Sequence, residues 1–421
     1  PFPLYELRGS IYVDPGQVIV RDLRAENGPS RVYLNTRLAP DQLPRLKLQV
    51  RNFQIDDPLK ARLPEPLRRY INSLALTGLC DLDIGTSATQ ADKLTWEGEL
   101  HLSEGFVAHE KFPYPIRDVS GLARLRGNRI DIEGKGRASG VQVNLKGVVL
   151  NPGPTNESVF IVDAKGVPIN TVLLDSSPAP VRKALIDLEL RGSHDMRTRF
   201  WKDAGVGQKF RISSEIQLRG CSCNYRSFPY RVDRLNGTVL WEDDVITFQK
   251  LSGIHDETQL AADGRFIRSA GPGRLELKIR AQNAAFDRSL ESALPESVHR
   301  LWQEFQPSGR FDVDTELSWV QGQPCIVVLP RVKVSDAAIT MRSFPWPMRG
   351  IEGEFSYEAP RLIIKSVSAQ HGDTQIRGRG LATFPAGEPW RVQFDELHVD
   401  DLVPNSTFRK ALPLELQRTF D

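Results

Sequence analysis

The side chains of this sequence that could do chemistry are present but are not brought together by spacing. Seven histidines, His101, His109, His194, His255, His299, His371 and His398, are scattered over 421 residues. None stands at the His-Glu-x-x-His spacing that puts two imidazoles and a base on one helix face, and none pairs with a carboxylate in a recognisable motif. No Gly-x-Ser-x-Gly turn presents a nucleophile, and no phosphate-cradling glycine loop precedes a helix. Gly134-Lys-Gly-Arg and Gly378-Arg-Gly share only the composition of such loops, and are expected at strand ends, where glycine makes bulges. Of the adjacent carboxylates Asp56/Asp57, Asp243/Asp244 and Asp400/Asp401, two pairs include expected helix caps, and capping is the better reading than an acid–base pair. Cys221 and Cys223, two apart on a strand, point to one face and are badly placed to bond each other. Without a second Cys or His pair they are a weak metal signal. The chain is therefore expected not to be an enzyme, with no catalytic residue, no metal and no cofactor assigned.

Charge excludes a further class. The 55 basic and 53 acidic residues leave a net charge of +2 and are interleaved throughout. A nucleic-acid binder concentrates basic residues in a stripe, so no nucleic-acid partner is expected. No apolar run reaches the 18 or so residues a membrane-spanning helix needs. The chain opens on Phe-Pro without an initiating Met or a signal peptide, and stops just after a helix start. It is expected to be a piece of a longer array, with any targeting segment or anchor outside it.

What does carry information is a long-period repeat. Phe-Pro recurs at Phe2-Pro3, Phe112-Pro113, Phe228-Pro229 and Phe344-Pro345, in steps of 110, 116 and 116 residues. Each is followed by a glycine, Gly9, Gly121, Gly237 and Gly353. Nine residues beyond stand Val18, Ile130, Ile246 and Leu362, and two further on Val20, Ile132, Phe248 and Ile364. Units that repeat in this way bury their faces against neighbours, which places function along a continuous surface rather than in one pocket. The expected organisation is one continuous array with repeats at 1–111, 112–227 and 228–343 and a partial repeat at 344–421.

Within the second repeat, Val119–Arg126, Arg129–Gly136 and Val141–Leu150 read as strands separated by Gly-Asn and Ser-Gly turns. Val141-Gln-Val-Asn-Leu-Lys alternates apolar and polar, the mark of a sheet with one dry and one wet face. Further strands are expected at Ser158–Lys165, Ile186–Phe200 and Phe210–Leu218, six or seven per repeat and roughly 25 in all at the ~4.8 Å strand spacing. One short helical patch per repeat is expected after an N-cap at Asp56, Asn170, Asp287 or Asp400, with a proline in its first turn at Pro64, Pro178, Pro295 or Pro413. Its apolar stripe would be Leu67, Ile71 and Leu74, then Val181, Leu185 and Leu188, then Val298, Trp302 and Phe305. Gly78/Asp81, Gly192/Asp195 and Gly309/Asp312 restart the sheet. The cations Arg68/Arg69, Arg182/Lys183, His299/Arg300 and Arg418 read as complements to the helix dipole, ahead of a role in greeting lipid phosphates. Two prolines one residue apart, in Phe112-Pro-Tyr-Pro115 and Phe344-Pro-Trp-Pro347, mark an edge or a crossover, with the phenylalanine plugging the bend.

The segments FPYPIRDVSGLARLRGNRIDIEGKGRASGVQVNLKGVVL and FPWPMRGIEGEFSYEAPRLIIKSVSAQHGDTQIRGRGLATF, with the cap–proline–helix–Gly-x-x-Asp segment LPESVHRLWQEFQPSGRFDVDTEL, resemble the AsmA-like superfamily of bacterial cell-envelope proteins, which includes the AsmA, TamB and YhdP types. The resemblance covers essentially all of the chain and lies in the pattern of strands and punctuation. It departs in the first repeat, where Tyr5 stands in place of the second proline and the glycine comes two residues early. The resemblance implies a mainly β fold, an elongated, twisted antiparallel sheet curled into an open groove with one short amphipathic helical element per repeat. It implies a non-enzymatic conduit for phospholipid or another acyl lipid between membranes. The location implied is the periplasm or cell envelope, with a membrane anchor in the full-length protein.

On that reading the lipid-binding floor is formed by Val18, Val20, Ile130, Ile132, Ile246, Phe248, Leu362 and Ile364, joined by Val141, Val143, Leu145, Leu260 and Ile376. If the stripe lines an open groove, replacing Ile132 or Ile364 with glutamate is expected to leave the fold largely intact, whereas in a closed core the same change should cost several kcal/mol. Two other readings compete: a structural or adhesion rod with a closed core and no ligand, and a carbohydrate-active parallel β-solenoid, whose coils would repeat at a much shorter period.

Overall fold

The computed structural model describes residues 3–40, 42–63, 65–88, 94–268, 271–385, 389–412 and 417. The fold is mainly β, with 22 strands in one antiparallel sheet that is not closed into a barrel. The strands are β1 (Tyr5–Asp14), β2 (Gln17–Asn27), β3 (Ser30–Ala39), β4 (Gln42–Gln54), β5 (Thr77–Ala88), β6 (Leu94–His109), β7 (Phe112–Arg126) and β8 (Arg129–Ala138). Next come β9 (Val141–Leu150), β10 (Glu157–Pro168), β11 (Arg191–Lys202), β12 (Arg211–Tyr225), β13 (Phe228–Glu242), β14 (Val245–His255) and β15 (Thr258–Ile267). The remainder are β16 (Arg274–Ala285), β17 (Ser308–Val320), β18 (Ile326–Ile339), β19 (Met348–Glu358), β20 (Arg361–His371), β21 (Thr374–Thr383) and β22 (Arg391–Asp400). Every described ladder is antiparallel, which removes the parallel-solenoid reading.

Short helices follow the fourth, tenth, sixteenth and twenty-second strands. They are α1 (Asp57–Lys60) and α2 (Glu65–Ser73), α3 (Thr171–Ser176) and α4 (Ala179–Asp187), α5 (Arg288–Ala293) and α6 (Glu296–Phe305), and α7 (Ser406–Ala411). The single helical patch expected from sequence is therefore two helices in each of the first three cases. Proline makes the division, because it drives the preceding residue out of the helical region. Ser177 before Pro178 and Leu294 before Pro295 are both extended, and each closes the first helix. Asp56, Asn170 and Asp287 cap the first helix of each pair, accepting from the amides of Leu59, Leu173 and Leu290. The fourth cap is Asn405, which accepts from Phe408, and not Asp400, which ends β22. Pro64, Pro413 and Arg418 lie outside the described residues. Ile186 ends up in α4, so the following strand begins at Arg191 instead. Of the expected helix stripe, Leu188 and Val298 are exposed, whereas Trp302 packs edge-on against Phe286 at 5.8 Å.

The chain divides into two compact units. The first comprises Pro1–Lys183 and Ser193–Ile216, the second Ala184–Gly192 and Gln217–Asp421. In the first, β1 to β11 pair in chain order throughout, β4–β5 and β10–β11 pairing across the α1–α2 and α3–α4 insertions. In the second, β13 to β22 do the same, with β16–β17 bridging α5–α6. Hairpins such as Ala138↔Val141 close through two left-handed residues, Ser139 and Gly140, as a tight antiparallel turn requires.

A line of bulges interrupts the ladders near the helices. Asn52, Gly166 and Asn283 take left-handed conformations where the register slips. The backbone N–H that each bulge frees donates to Asp81, Asp195 and Asp312 on the next strand, at 2.8, 2.9 and 2.8 Å. That is the physical content of the Gly-x-x-Asp signature: the aspartate satisfies an amide that the bulge takes out of the ladder. The glycine three residues earlier admits the neighbouring backbone. A Cβ on Gly309 (φ +106) would sit 2.6 Å from Ala337 Cα.

The Phe-Pro motif marks neither an edge nor a crossover in β7 and β13. Phe112 and Phe228 open interior strands, where proline is tolerated because it occupies the strand's first residues. The plug is not the phenylalanine, since Phe112 and Phe228 are exposed. It is the aromatic two residues later: Tyr114, Tyr230 and Trp346 are buried. Phe344-Pro345 precedes β19 and lies outside any strand.

Candidate functional site

Cross-strand pairing assigns every strand residue to a face. In the first unit one row of directly opposed residues runs Leu23, Leu34, Leu48, Ile84, Gly98, Leu125, Ile130 and Val149, ending on Ser158 and Lys202. The adjacent row on the same face runs Ala25, Val32, Val50, Leu82, Leu100, Ala123, Ile132, Gly147, Phe160 and Phe200. A third adds Phe53, Cys80, Leu102, Gly121, Gly134, Leu145 and Val162. Val18 and Val20 continue this face on β2, opposite Val13 and Ile11 of β1. All seven floor residues expected in this unit, Val18, Val20, Ile130, Ile132, Val141, Val143 and Leu145, thus share one apolar face.

The other face of the same strands reads Arg24, Tyr33, Gln49, Asp83, Glu99, Arg124 and Asp131 before turning apolar at Val148, Val159 and Trp201. Ion pairs cross it, Arg51–Asp83 at 2.8 Å and Arg124–Glu99 at 3.1 Å. The hydrogen bond from Arg51 holds the Asp83 carboxyl below its usual range. Charge is segregated from the apolar rows by the two-residue period of the strand.

The second unit has the same division. One row of its apolar face runs Gly253, Leu260, Ala281, Val313, Val332, Phe355, Ile364, Gly380 and Phe394. Beside it lie Val239, Phe248, Gly264, Leu277 and Leu317, then Trp241, Ile246, Phe266, Leu275 and Trp319. Tyr357, Leu362, Ala382 and Val392 form another row, and Ala369, Ile376 and Val399 another. Ile246, Phe248, Leu260, Leu362, Ile364 and Ile376 therefore also share a face. Its reverse carries Arg265–Glu276, Arg280–Asp314 and Arg379–Glu396 pairs.

Burial separates the thirteen residues. Val143 and Ile364 are buried and the other eleven are partly buried. Val143 belongs to a cluster with Tyr114, Ala138, Ala164 and Val167, against which Val141 and Leu173 of α3 pack. Ile376 packs on a second cluster, Val334, Ala337, Ile351 and Ala369. Ile364, at 8 % exposure, falls on the core side of the two outcomes expected for glutamate there. The most exposed members of these faces stand on the first and last strands, every residue of which is exposed: Ile11 and Val13 of β1 at 60 % and 72 %, and Phe394 and Leu397 of β22. Among the described elements, the helices approach the strands most closely where α3 meets β7 and α5 meets β13, and Leu173 of α3 packs on the cluster that spans β7 to β10. All the described strands belong to one sheet, so no separate sheet among the described residues lies over either apolar face.

The glycines expected at strand ends sit inside strands on this face. Gly134 and Gly136 in β8 and Gly378 and Gly380 in β21 oppose Leu145, Val143, Leu397 and Phe394. Gly147 lies under the Phe160 ring, where a Cβ would collide with it. Glycine here makes room for a large cross-strand partner.

The remaining candidates are structural. Arg68 and Arg69 both pair with Glu65 at 2.6 Å. Arg182 of α4 donates to the carbonyls of Leu174, Asp175 and Ser177 at the end of α3, so it complements the dipole of the preceding helix and not of its own. The four cysteines are free thiols, and burial pushes Cys80 up to about 12. A cavity of about 620 Å³ in the second unit is lined by Val328, Tyr357, Pro360 and Ile363 together with Ser356, Glu358 and Arg361, and its lining includes no histidine or cysteine. Sequence reasoning missed Tyr114, Tyr230 and Trp346, although an aromatic two residues after each Phe was there to be read. It also missed Phe160, Phe200, Phe266 and Phe355, whose side of the strand follows only once the bulges fix the register. No helix among the described residues is long and apolar enough to cross a membrane.

Comparison with known proteins gives no match: no family model, no curated protein and no solved structure matches this chain.

Proposed function

We propose that this chain is a non-enzymatic lipid-conduit segment of an AsmA-like protein of the cell envelope, a repeat array whose sheet curls into a groove that shields acyl chains in transit. The observation that carries the reading is the pair of unbroken apolar rows in the first unit, from Leu23 to Val149 and from Ala25 to Phe200, with no separate sheet among the described residues laid over them. Most side chains of these rows keep part of their surface open to solvent, although Ala25 is buried, and a contiguous apolar strip left partly open fits an apolar occupant. An acyl tail leaving a bilayer loses about 0.8 kcal/mol of burial per CH₂, so a tail of about 16 carbons needs ~12 kcal/mol replaced at each point of its path. A row of aliphatic side chains supplies that without a gradient along it, so a tail can slide from strand to strand with no barrier imposed by polar crossings. The charged reverse face keeps the sheet wetted on its other side.

The partner is a phospholipid or another acyl lipid, and the location is the periplasm, with membranes reached through other parts of the full-length protein. The experiment is lipid extraction from protein purified without detergent, followed by mass spectrometry. Acyl lipid at a reproducible stoichiometry supports the conduit. Lipid-free protein that neither binds nor transfers a fluorescent phospholipid would favour the closed rod.

A further inference from the structure

We propose that His255, Asp256 and Asp287 form a divalent-metal site in the second unit, with the donor set of a zinc ion. The three residues come from different places: His255 ends β14, Asp256 opens the turn into β15, and Asp287 precedes α5. The fold brings one ligating atom of each within 4.8 Å of the others.

The state of the imidazole supports the assignment. Its Nδ1 lies 2.6 Å from the carbonyl oxygen of Arg231, which can only accept, so Nδ1 carries the proton. In the neutral ring Nε2 then presents its lone pair, the arrangement by which metal-ligating histidines are fixed through their second nitrogen. The ring is further held by stacking on Tyr230, with centroids 3.8 Å apart. Nε2 is shut off from solvent and has no hydrogen-bond partner, a costly condition for a buried polar atom.

The carboxylates complete the geometry. Asp256 Oδ2 lies 3.9 Å from Nε2, too long for a hydrogen bond. It is, however, within the reach of two ligands that share one ion, since Zn–N and Zn–O bonds of about 2.0–2.2 Å allow up to ~4.2 Å between donors. Asp287 spends Oδ1 on the amide of Leu290, which leaves its second oxygen for a cation. One imidazole and two carboxylates suit zinc better than calcium or magnesium, which take six or more oxygens. Three protein ligands leave a fourth position for water.

The molecule contains its own control. His371 is held in the same way, with Nδ1 2.6 Å from the Pro347 carbonyl and its ring stacked on Trp346 at 4.3 Å. There the next residue is Gly372 and the helix cap is Asn405, so the carboxylates are replaced by neutral groups. The stacked, carbonyl-bound histidine is thus a feature of the fold, while the two acidic ligands distinguish the His255 position.

The test is calorimetric titration with ZnCl₂, with Co²⁺ as a spectroscopic probe, on the whole chain and on two variants. Asp256→Gly introduces the residue found beside His371, at a left-handed position (φ +49) that glycine accepts. Asp287→Asn keeps a side-chain oxygen for the helix cap and removes the charge. The expected result is one equivalent of Zn²⁺ per chain, a rise in melting temperature with metal, and affinity at least about tenfold weaker in each variant. The variants should melt like the parent in the absence of metal. The proposal is overturned if Zn²⁺ neither binds nor shifts the melt, or if both variants keep the parent affinity, which would place the ion elsewhere, for example at the exposed Cys325. It is equally overturned if His255 proves to be an imidazolium paired with the carboxylates and unresponsive to metal.

Discussion

The two ends of the apolar face in β7–β10 are built from the same alternation and end in different states. Near the helices, Tyr114, Ala138, Val143, Ala164 and Val167 form a packed cluster closed by Leu173. Toward the opposite hairpins, Leu125, Ile130 and Val149 lie on the same face and remain partly exposed. The difference comes from what is laid over the strands. Proline splits the helical segment, the bulges bend the ladder beneath it, and α3 meets only one end of the face. Apolar periodicity therefore marks a dry face without saying which part is core and which part is surface.

The largest expected effects test that division directly. Val143→Glu buries an unpaired charge in the packed end and should cost several kcal/mol, as should Ile364→Glu. Ile132→Glu, on the less covered part of the face, should cost about 1 kcal/mol. Denaturant melts of the three variants break the comparison if Ile132→Glu proves as damaging as Val143→Glu.

Next in size is the aromatic plug. Tyr114→Ala removes a buried ring and its 3.0 Å bond to Ser139, and should cost about 3 kcal/mol or more. Phe112→Ala, two residues away and exposed, should cost under about 1 kcal/mol. Equal losses would return the plugging role to the phenylalanine.

The smallest effect belongs to the charged face. Asp83 is held below the usual carboxylate range, chiefly by its hydrogen bond from Arg51. A depressed folded value contributes stability above the unfolded carboxylate value, near pH 4, and loses it as pH falls through the lower folded value. Because both side chains are about a third exposed or more, the contribution is under about 1 kcal/mol. Asp83→Asn should flatten stability against pH below about 4 and leave the apolar face unchanged.

Much of this fold is legible in local residue pattern. Val141–Leu150 is the strand expected, Asp56, Asn170 and Asp287 are the caps expected, and each Gly-x-x-Asp opens a strand. The failures share a cause. Proline at 178 and 295 was read for where it starts a helix and not for where it ends the one before. Asp400 lost the fourth cap to Asn405 because β22 runs through it. The face shared by Ile364 and Leu260 can be read from spacing, but the burial of Ile364 depends on Phe355 and Gly380, its partners on two neighbouring strands. The convergence of Asp287 on His255 depends on four strands' worth of register and was out of reach of any motif.

The most direct test of the conduit places a photoreactive amino acid on opposite faces of neighbouring positions, at Ile132 and at Asp131 of β8, in cells or with phospholipid vesicles. The account predicts lipid adducts at Ile132 and almost none at Asp131. Adducts of equal yield at both positions, or none at Ile132 in a folded protein, would contradict it.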